Sequence, residues 1–319
     1  MSSLIEQAAH RLEQLRRAGA MVADPRPAQR LPGGGHAAAV PAPETVAPLP
    51  VVESRKVELD FAALAAAGIL VPNAARSMLG DQFRVIKRPL IRNAVGKGAA
   101  KIAHGNLIMI TSALAGEGKS FTAVNLAMSI AAELDHTVML VDADVARPSV
   151  SRMLGLASSS DTAFGPGLLD VLDGRTDMPS VLLKTNIDKL TLLPSGTQHA
   201  RATELLASDA MTRLLDEMGR RYPDRIIIFD SPPLLLTTEA RVLATHMGQV
   251  VVVVHAGKTS QADVQTALGT IENCPVRLML LNRTQAVTTE GGYGYGYGYG
   301  YGQGGGTPPD TGILEAPTR

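Results

Sequence analysis

Apolar and polar positions change rhythm several times along this chain. Over residues 3–18, Leu4, Ile5, Ala8, Leu12 and Leu15 recur at helical spacing with charges between them, which predicts an amphipathic helix within 1–20. That helix either packs on the main domain or docks to a partner. Residues 21–57 are rich in Pro, Gly and Ala, with Pro32 followed by three glycines, and read as a disordered linker. From 58 to 104 helical spacing returns. Phe61, Leu64 and Ile69 form a first cluster, broken by Gly68 and Pro72. A second helix is predicted from about Ala74 to Lys87, ended by Pro89.

From residue 105 short apolar runs alternate with helical stretches. Strands are predicted at Asn106–Ile110, Thr137–Val141, Leu190–Leu193, Ile226–Phe229, Val250–Val254 and Val276–Leu281. Several are apolar throughout, as strands covered on both faces of a parallel sheet must be. Helices are predicted near 120–134, 202–220, 237–247 and 260–273. This alternation gives an α/β fold, a doubly wound and mostly parallel sheet over 105–284. Ligands in such sheets sit at the carboxyl ends of the strands.

Composition narrows the class. Among 319 residues, 30 Lys and Arg balance 30 Asp and Glu, so bulk charge predicts no nucleic-acid partner. The single cysteine, Cys274, permits no intramolecular disulfide and fits a reducing cytoplasm. With Trp absent and aromatics at 3%, the core must be built from Ala, Leu, Val and Ile. No segment has the run of about 20 apolar residues that a membrane-spanning helix needs. Charges at Glu6, Arg11, Glu13, Arg16 and Arg17 argue against a secretory signal, so membrane attachment would go through a partner or a surface contact. Arg84, Lys87, Arg88, Arg92, Lys97 and Lys101 form a basic run without an acid, either a solvated face or a contact with a neighbouring subunit or anionic lipid.

The chemistry sits at three strand ends. Thr111 to Ser120, ending Gly116-Glu117-Gly118-Lys119-Ser120, follows the first of the predicted sheet strands and opens a helix, the context of a P-loop NTPase phosphate loop. Gly116 and Gly118 let backbone N–H groups turn towards phosphate oxygens. Lys119 is expected to reach the β- and γ-phosphates and Ser120 to ligate Mg²⁺, while Glu117 and Phe121 complete the candidate nucleotide-binding set. The first glycine usual in such a loop is Ala113 here. Asp142 and Asp144 end the next strand, one suited to Mg²⁺ or its waters and the other to accepting a proton from an incoming hydroxyl. Ile226 to Phe229 run into Asp230, a Walker B arrangement in which the aspartate holds the metal, and Pro232 and Pro233 fix the turn after it.

The segment 285–319 stands apart. Tyr293, Tyr295, Tyr297, Tyr299 and Tyr301 alternate with glycine, and Tyr222 is the only tyrosine elsewhere. Gly-Tyr repeats also occur as linker, but beside a phosphate loop they read as a flexible arm of phosphoacceptors.

Together the phosphate loop, the Asp142/Asp144 strand with Arg147-Pro148 after it, the Asp230-Ser-Pro-Pro strand and the tyrosine cluster resemble the bacterial tyrosine autokinases of capsule and exopolysaccharide export. Leu193-Pro194-Ser195-Gly196, Thr203-Glu204-Leu205-Leu206 and Ala256 to Ser260 are also similar to family segments, and the N-terminal region resembles the exosortase-associated subgroup. The resemblance implies ATP and Mg²⁺ in the core and a homo-oligomeric ring in which each tail enters a neighbour's site. It also implies a membrane polysaccharide co-polymerase, or chain-length determinant, as activator, a tyrosine phosphatase as a further partner, and a cytoplasmic position peripheral to the inner membrane. Asp81, Arg84 and Lys87 match the family's subunit-contact helix imperfectly. Asn282 either contacts the base, by analogy, or satisfies a loop. Ala115, Ala146 and Glu239 depart from the usual Pro, basic residue and Asp, which bears on the strength of activity more than on ATP binding. Positioning ATPases of the partition and septum type share the fold but carry an extra lysine where this chain has Leu114, and they lack the tyrosines. A non-catalytic ATP-binding scaffold is the third reading.

Overall fold

A computed structural model describes residues 54–72, 74–156, 165–221 and 224–284. The expected N-terminal helix, nearly all of the linker, Tyr222 and the 285–319 tail with its tyrosine cluster lie outside the described residues.

Among the described residues eight strands form one sheet. They are β1 Arg55–Val57, β2 Leu107–Ser112, β3 Thr137–Asp142, β4 Leu183–Thr185, β5 Leu190–Leu193, β6 Arg225–Asp230, β7 Gln249–His255 and β8 Val276–Asn282, in spatial order β1-β4-β5-β3-β6-β2-β7-β8. All pairings are parallel except the β4–β5 hairpin.

The central strands carry unbroken apolar runs because each faces a separate core on either side. In β2, Leu107 and Met109 point into one core while Ile108 and Ile110 point into the other. The same alternation places Ile227 and Phe229 opposite Ile226 and Ile228 in β6, and Val250 and Val252 opposite Val251 and Val253 in β7. This is the two-residue period of the pleat. Each such side chain contributes about 1.5–3 kcal/mol on burial.

One face is covered by helices Asp209–Arg221 and Thr238–Thr245, through Met211, Leu215, Met218, Ala240 and Leu243. Lone Cys274 belongs to this core, with Sγ 3.3 Å from the Val276 carbonyl, and burial pushes its thiol pKa up. The other face is covered by Lys119–Ala131 and Met78–Ala94. Residues 58–104 are therefore part of the main fold, since Leu64, Phe83 and Leu90 share the core of β2 and β3. Buried Gln249 fixes that attachment: its Nε2 donates to the carbonyls of Leu90 (3.0 Å) and Gly105 (2.6 Å), and its Oε1 accepts from Asn93 (2.9 Å).

Three sequence expectations change here. The helix expected to stop before Pro89 runs from Met78 to Ala94 with the proline inside it. Pro89 and Val85, whose carbonyl loses its i+4 donor, are both exposed, so water can satisfy the freed group. The segment expected as linker to residue 57 ends in β1, which pairs with Leu183–Thr185. Lys87, expected as an oligomer contact, is 6% exposed and turned inward; its Nζ donates to the Ser129 carbonyl at 2.6 Å and pairs with Glu133 at 2.5 Å. No helix among the described residues is long and apolar enough to cross a membrane.

Candidate active site

The phosphate loop bridges the end of β2 and the helix Lys119–Ala131. Gly116 (φ 80°) and Gly118 (φ 97°) hold left-handed backbone that side-chain-bearing residues rarely adopt. A Cβ on Gly118 would also collide with Asn282 Nδ2. The segment after β6 runs beside the loop. Thr111 Oγ1 donates to the Pro232 carbonyl at 2.8 Å, and the Leu234 N–H donates to the Ser112 carbonyl at 2.8 Å.

Parallel strands β3 and β6 end in register, with Asp142 opposite Asp230. Both are buried, and each keeps one carboxylate oxygen, Oδ1, without a hydrogen-bond partner. Asp142 Oδ2 accepts from the N–H groups of Ser149 and Val150, both at 3.0 Å. Burial, then the neighbouring Asp230 charge, pushes the Asp142 carboxyl well above the ordinary range. Burial likewise raises Asp230, to about 6, opposed by the Lys119 charge and the Ser120 hydroxyl.

Lys119 Nζ lies 2.6 Å from Asp144 Oδ2, and the Arg147 N–H donates to Asp144 Oδ1 at 3.2 Å. A cavity of about 340 Å³ opens above this pair. Its lining includes Gly116, Lys119, Ser120, Asp144, Arg147 and Arg152. Pro232, Pro233 and exposed Leu236 make the facing wall.

The strand ends thus bring Lys119, Ser120, Asp142, Asp144 and Asp230 together. Three residues of the expected nucleotide-binding set look elsewhere. Glu117 is 2% exposed; its Oε2 accepts from the Leu114 N–H at 2.6 Å and its Oε1 from the His255 N–H and the Thr259 hydroxyl. Its side chain therefore braces the loop and leaves only its backbone for phosphate. Asn282 holds the same loop, donating from Nδ2 to the Glu117 carbonyl at 2.9 Å. Phe121 packs against the core beneath Lys119–Ala131 and lines a second cavity, about 640 Å³, with Leu79, Ile86 and Asn282.

Sequence reasoning missed Ser149 and Arg152. Ser149 caps Asp142 through its N–H and reaches Asp230 Oδ2 with its hydroxyl at 3.4 Å. A serine directly after Arg147-Pro148 was the available signal. Arg152 lies ten residues beyond Asp142 and only the fold returns it to the cavity. Glu239 accepts from the Thr203 hydroxyl at 3.1 Å, joining two segments far apart in sequence.

On the outer face of Met78–Ala94, Asp81 sits between Arg76 (2.9 Å) and Arg84 (2.5 Å). The hydrogen bond from Arg76 is the main cause that holds its carboxyl below the usual range.

Among the described residues no group of three or more His, Cys, Asp or Glu side chains is arranged to hold a metal unaided. Mg²⁺ in nucleotide sites takes one or two carboxylates and completes its shell with phosphates and water. The two unpartnered carboxylate oxygens, beside the Ser120 hydroxyl and a glycine-curled loop, fit that donor set.

Residues 105–282 match the AAA domain family. The tyrosine-protein kinase YwqD of Bacillus subtilis (strain 168) is 30% identical over 211 residues, spanning 66% of this chain and 83% of YwqD. The tyrosine-protein kinase ptk of Acinetobacter johnsonii is 31% identical over 189 residues, 59% of this chain, but the chain spans only 25% of ptk. The kinase domain of Escherichia coli tyrosine kinase ETK superposes with a TM-score of 0.54 at 21% identity, covering 73% of this chain and 97% of that domain, a likeness of fold. On the AAA domain match and the extent of the likeness to YwqD, the chain belongs to the bacterial tyrosine-protein kinases.

Proposed function

We propose that the chain is an ATP- and Mg²⁺-dependent protein-tyrosine autokinase. It phosphorylates Tyr293, Tyr295, Tyr297, Tyr299 and Tyr301 of a neighbouring copy within a ring. The observation that carries this reading is the convergence of Lys119, Asp142, Asp144 and Asp230 beneath one glycine-curled loop, with two buried carboxylate oxygens unpartnered.

ATP with Mg²⁺, when bound, supplies the γ-phosphoryl group and the cation that draws charge from its oxygens. The chain's own residues supply the rest. The loop N–H groups and Lys119 would orient the phosphates, and Ser120, Asp142 and Asp230 would hold the metal. Were Lys119 Nζ to turn to phosphate, it would free the carboxylate of Asp144, a residue of the cavity lining, to take the proton from the tyrosine hydroxyl as that oxygen accepts the phosphoryl group. Arg147 and Arg152 at the mouth offset the carboxylates as an acceptor approaches.

Asp81 and Arg84, on a face that also exposes Met78 (78%) and Val85 (72%), make the contact between copies; Lys87 supports that helix from inside. Phosphorylation would add about −1.5 to −2 charges per tyrosine and release the tail from a carboxylate-lined site, dissolving the ring. A membrane polysaccharide co-polymerase acts as activator and a tyrosine phosphatase resets the cycle, which regulates exopolysaccharide polymerisation and export from the cytoplasmic side of the inner membrane.

The test is mass-spectrometric mapping of phosphotyrosine on the full chain incubated with ATP and Mg²⁺, alone and with the activator, against Lys119→Met. Phosphate on the Tyr293–Tyr301 cluster that is lost in the variant supports the reading. Phosphate release without tyrosine modification, activator included, would put a positioning ATPase in its place. Nucleotide binding with neither activity would leave a scaffold.

A further inference from the structure

A carboxylate in the middle of a phosphate-binding loop is electrostatically unexpected. Glu117 adds a negative charge two residues before Lys119, where an anion is to be held. The fold deals with it by turning the side chain away. It is 2% exposed and absent from the cavity lining, while Gly116, Lys119 and Ser120 on either side of it face that cavity.

Its hydrogen bonds run in two directions. Oε2 folds back on the Leu114 N–H, three residues earlier, at 2.6 Å. That closes the loop on itself between the last strand residues and the left-handed Gly116 and Gly118. Oε1 crosses to a different element, the end of β7 and the turn after it, where the His255 N–H (3.3 Å) and the Thr259 hydroxyl both donate to it. The Thr259 oxygen in turn accepts from the His255 N–H at 3.3 Å. The Glu117 carbonyl is held from β8 by Asn282 Nδ2 at 2.9 Å, and the Ala256 N–H donates to the Asn282 carbonyl at 2.9 Å. None of residues 255–259 lines the phosphate-loop cavity.

We infer that Glu117 is a positioning residue that fixes the curvature of the phosphate loop by tying it to the 255–259 turn, with Thr259 as its obligatory partner. This rests on the loop's being the nucleotide site proposed above. A buried carboxylate satisfied by two N–H groups and one hydroxyl is rigid, and removing the hydroxyl leaves Oε1 with the longer His255 N–H bond alone. Loop and turn therefore move as one body. Phosphate seated on the loop should quieten the turn, and loosening the turn should weaken phosphate binding.

The experiment measures direct binding of a fluorescent ATP analogue with Mg²⁺ to the full chain, melting temperature, and amide hydrogen exchange across 255–259 with and without nucleotide. The variants are Glu117→Gln, Thr259→Val, Thr259→Ser and the Glu117→Gln/Thr259→Val pair. Thr259→Val should weaken nucleotide binding about tenfold, Thr259→Ser should restore it, and the pair should be no worse than the stronger single change. Nucleotide should slow exchange across 255–259 in the wild type and in Thr259→Ser but not in Thr259→Val. Wild-type affinity in Thr259→Val and Glu117→Gln, or additive losses in the pair, would overturn the brace. Loss of melting temperature with affinity intact in the folded fraction would also overturn it, as a merely structural role. A wild type that binds nucleotide without phosphorylating tyrosine would sink the kinase reading and leave the brace standing, and one that binds no nucleotide would sink both.

Discussion

Asp142 and Asp230 end neighbouring parallel strands opposite one another, each with a buried oxygen that no hydrogen bond reaches. Without a divalent cation such a pair works against the fold. Asp230 titrates at about 6 against an ordinary 3.8, and Asp142 shifts the same way. The folded chain therefore keeps protons that the unfolded chain has released between those values. Stability falls as pH rises through that window, and Asp142 adds to the fall in the same direction. Asp230→Asn, measured in chelator, should flatten this dependence and raise the melting temperature at pH 7.5 by about 3–6 °C. The same variant should lose phosphorylation by at least about a hundredfold. An unchanged pH profile would refute the first expectation.

Lys119 and buried Asp144 form a second pair, 12% and 5% exposed. Lys119→Met strands the aspartate and should cost about 3 kcal/mol of stability. Adding Asp144→Asn should recover most of it, since neither charge then remains. Phosphorylation should stay absent in both. A double variant as unstable as Lys119→Met alone, by thermal or urea melting, would count against the pairing.

Gly116 and Gly118 share left-handed backbone but differ in surroundings. A methyl at 116 meets open space, whereas at 118 it meets Asn282. Gly116→Ala should cost about 1–2 kcal/mol. Gly118→Ala should cost more and weaken nucleotide binding by at least about tenfold, with partial recovery on adding Asn282→Ala. Equal effects of the two single changes in a binding titration would argue against the contact.

Lys87 and Arg84 lie on one helix with opposite environments. Lys87→Ala should destabilise the fold by about 1–3 kcal/mol, because buried Lys87 serves the Ser129 carbonyl and Glu133. Arg84→Ala should shift the melting temperature little, since its pair with Asp81 is exposed. If this face joins copies, Arg84→Ala should reduce assembly mass in light scattering. An intact assembly would move the contact elsewhere.

What the sequence made legible follows from how locally each feature is encoded. Leu190–Leu193 was readable to the residue because an apolar run between turns needs no further context. The three loop-bearing strand ends were readable for the same reason. β1 was not: two of its three residues are exposed, and its strand character comes from pairing with Leu183–Thr185, more than a hundred residues away. Lys87 read as part of a solvated basic run because spacing does not reveal that a long stem can carry an ammonium to a buried carbonyl. Glu117 read as a nucleotide contact because a motif fixes the backbone path, while the direction of a side chain depends on donors from β7 that the motif does not contain.

Cys274 has a practical consequence. Its thiol is the chain's only one, 4% exposed and held in protonated form by burial. Maleimide reagents attack the exposed thiolate, so at neutral pH the native fold should pass them by. A cysteine introduced at any surface position then becomes a unique attachment point for a fluorophore or spin label, without first removing the natural one. Distances from the phosphate loop to a neighbouring copy are thereby open to direct spectroscopic measurement in the otherwise unaltered protein.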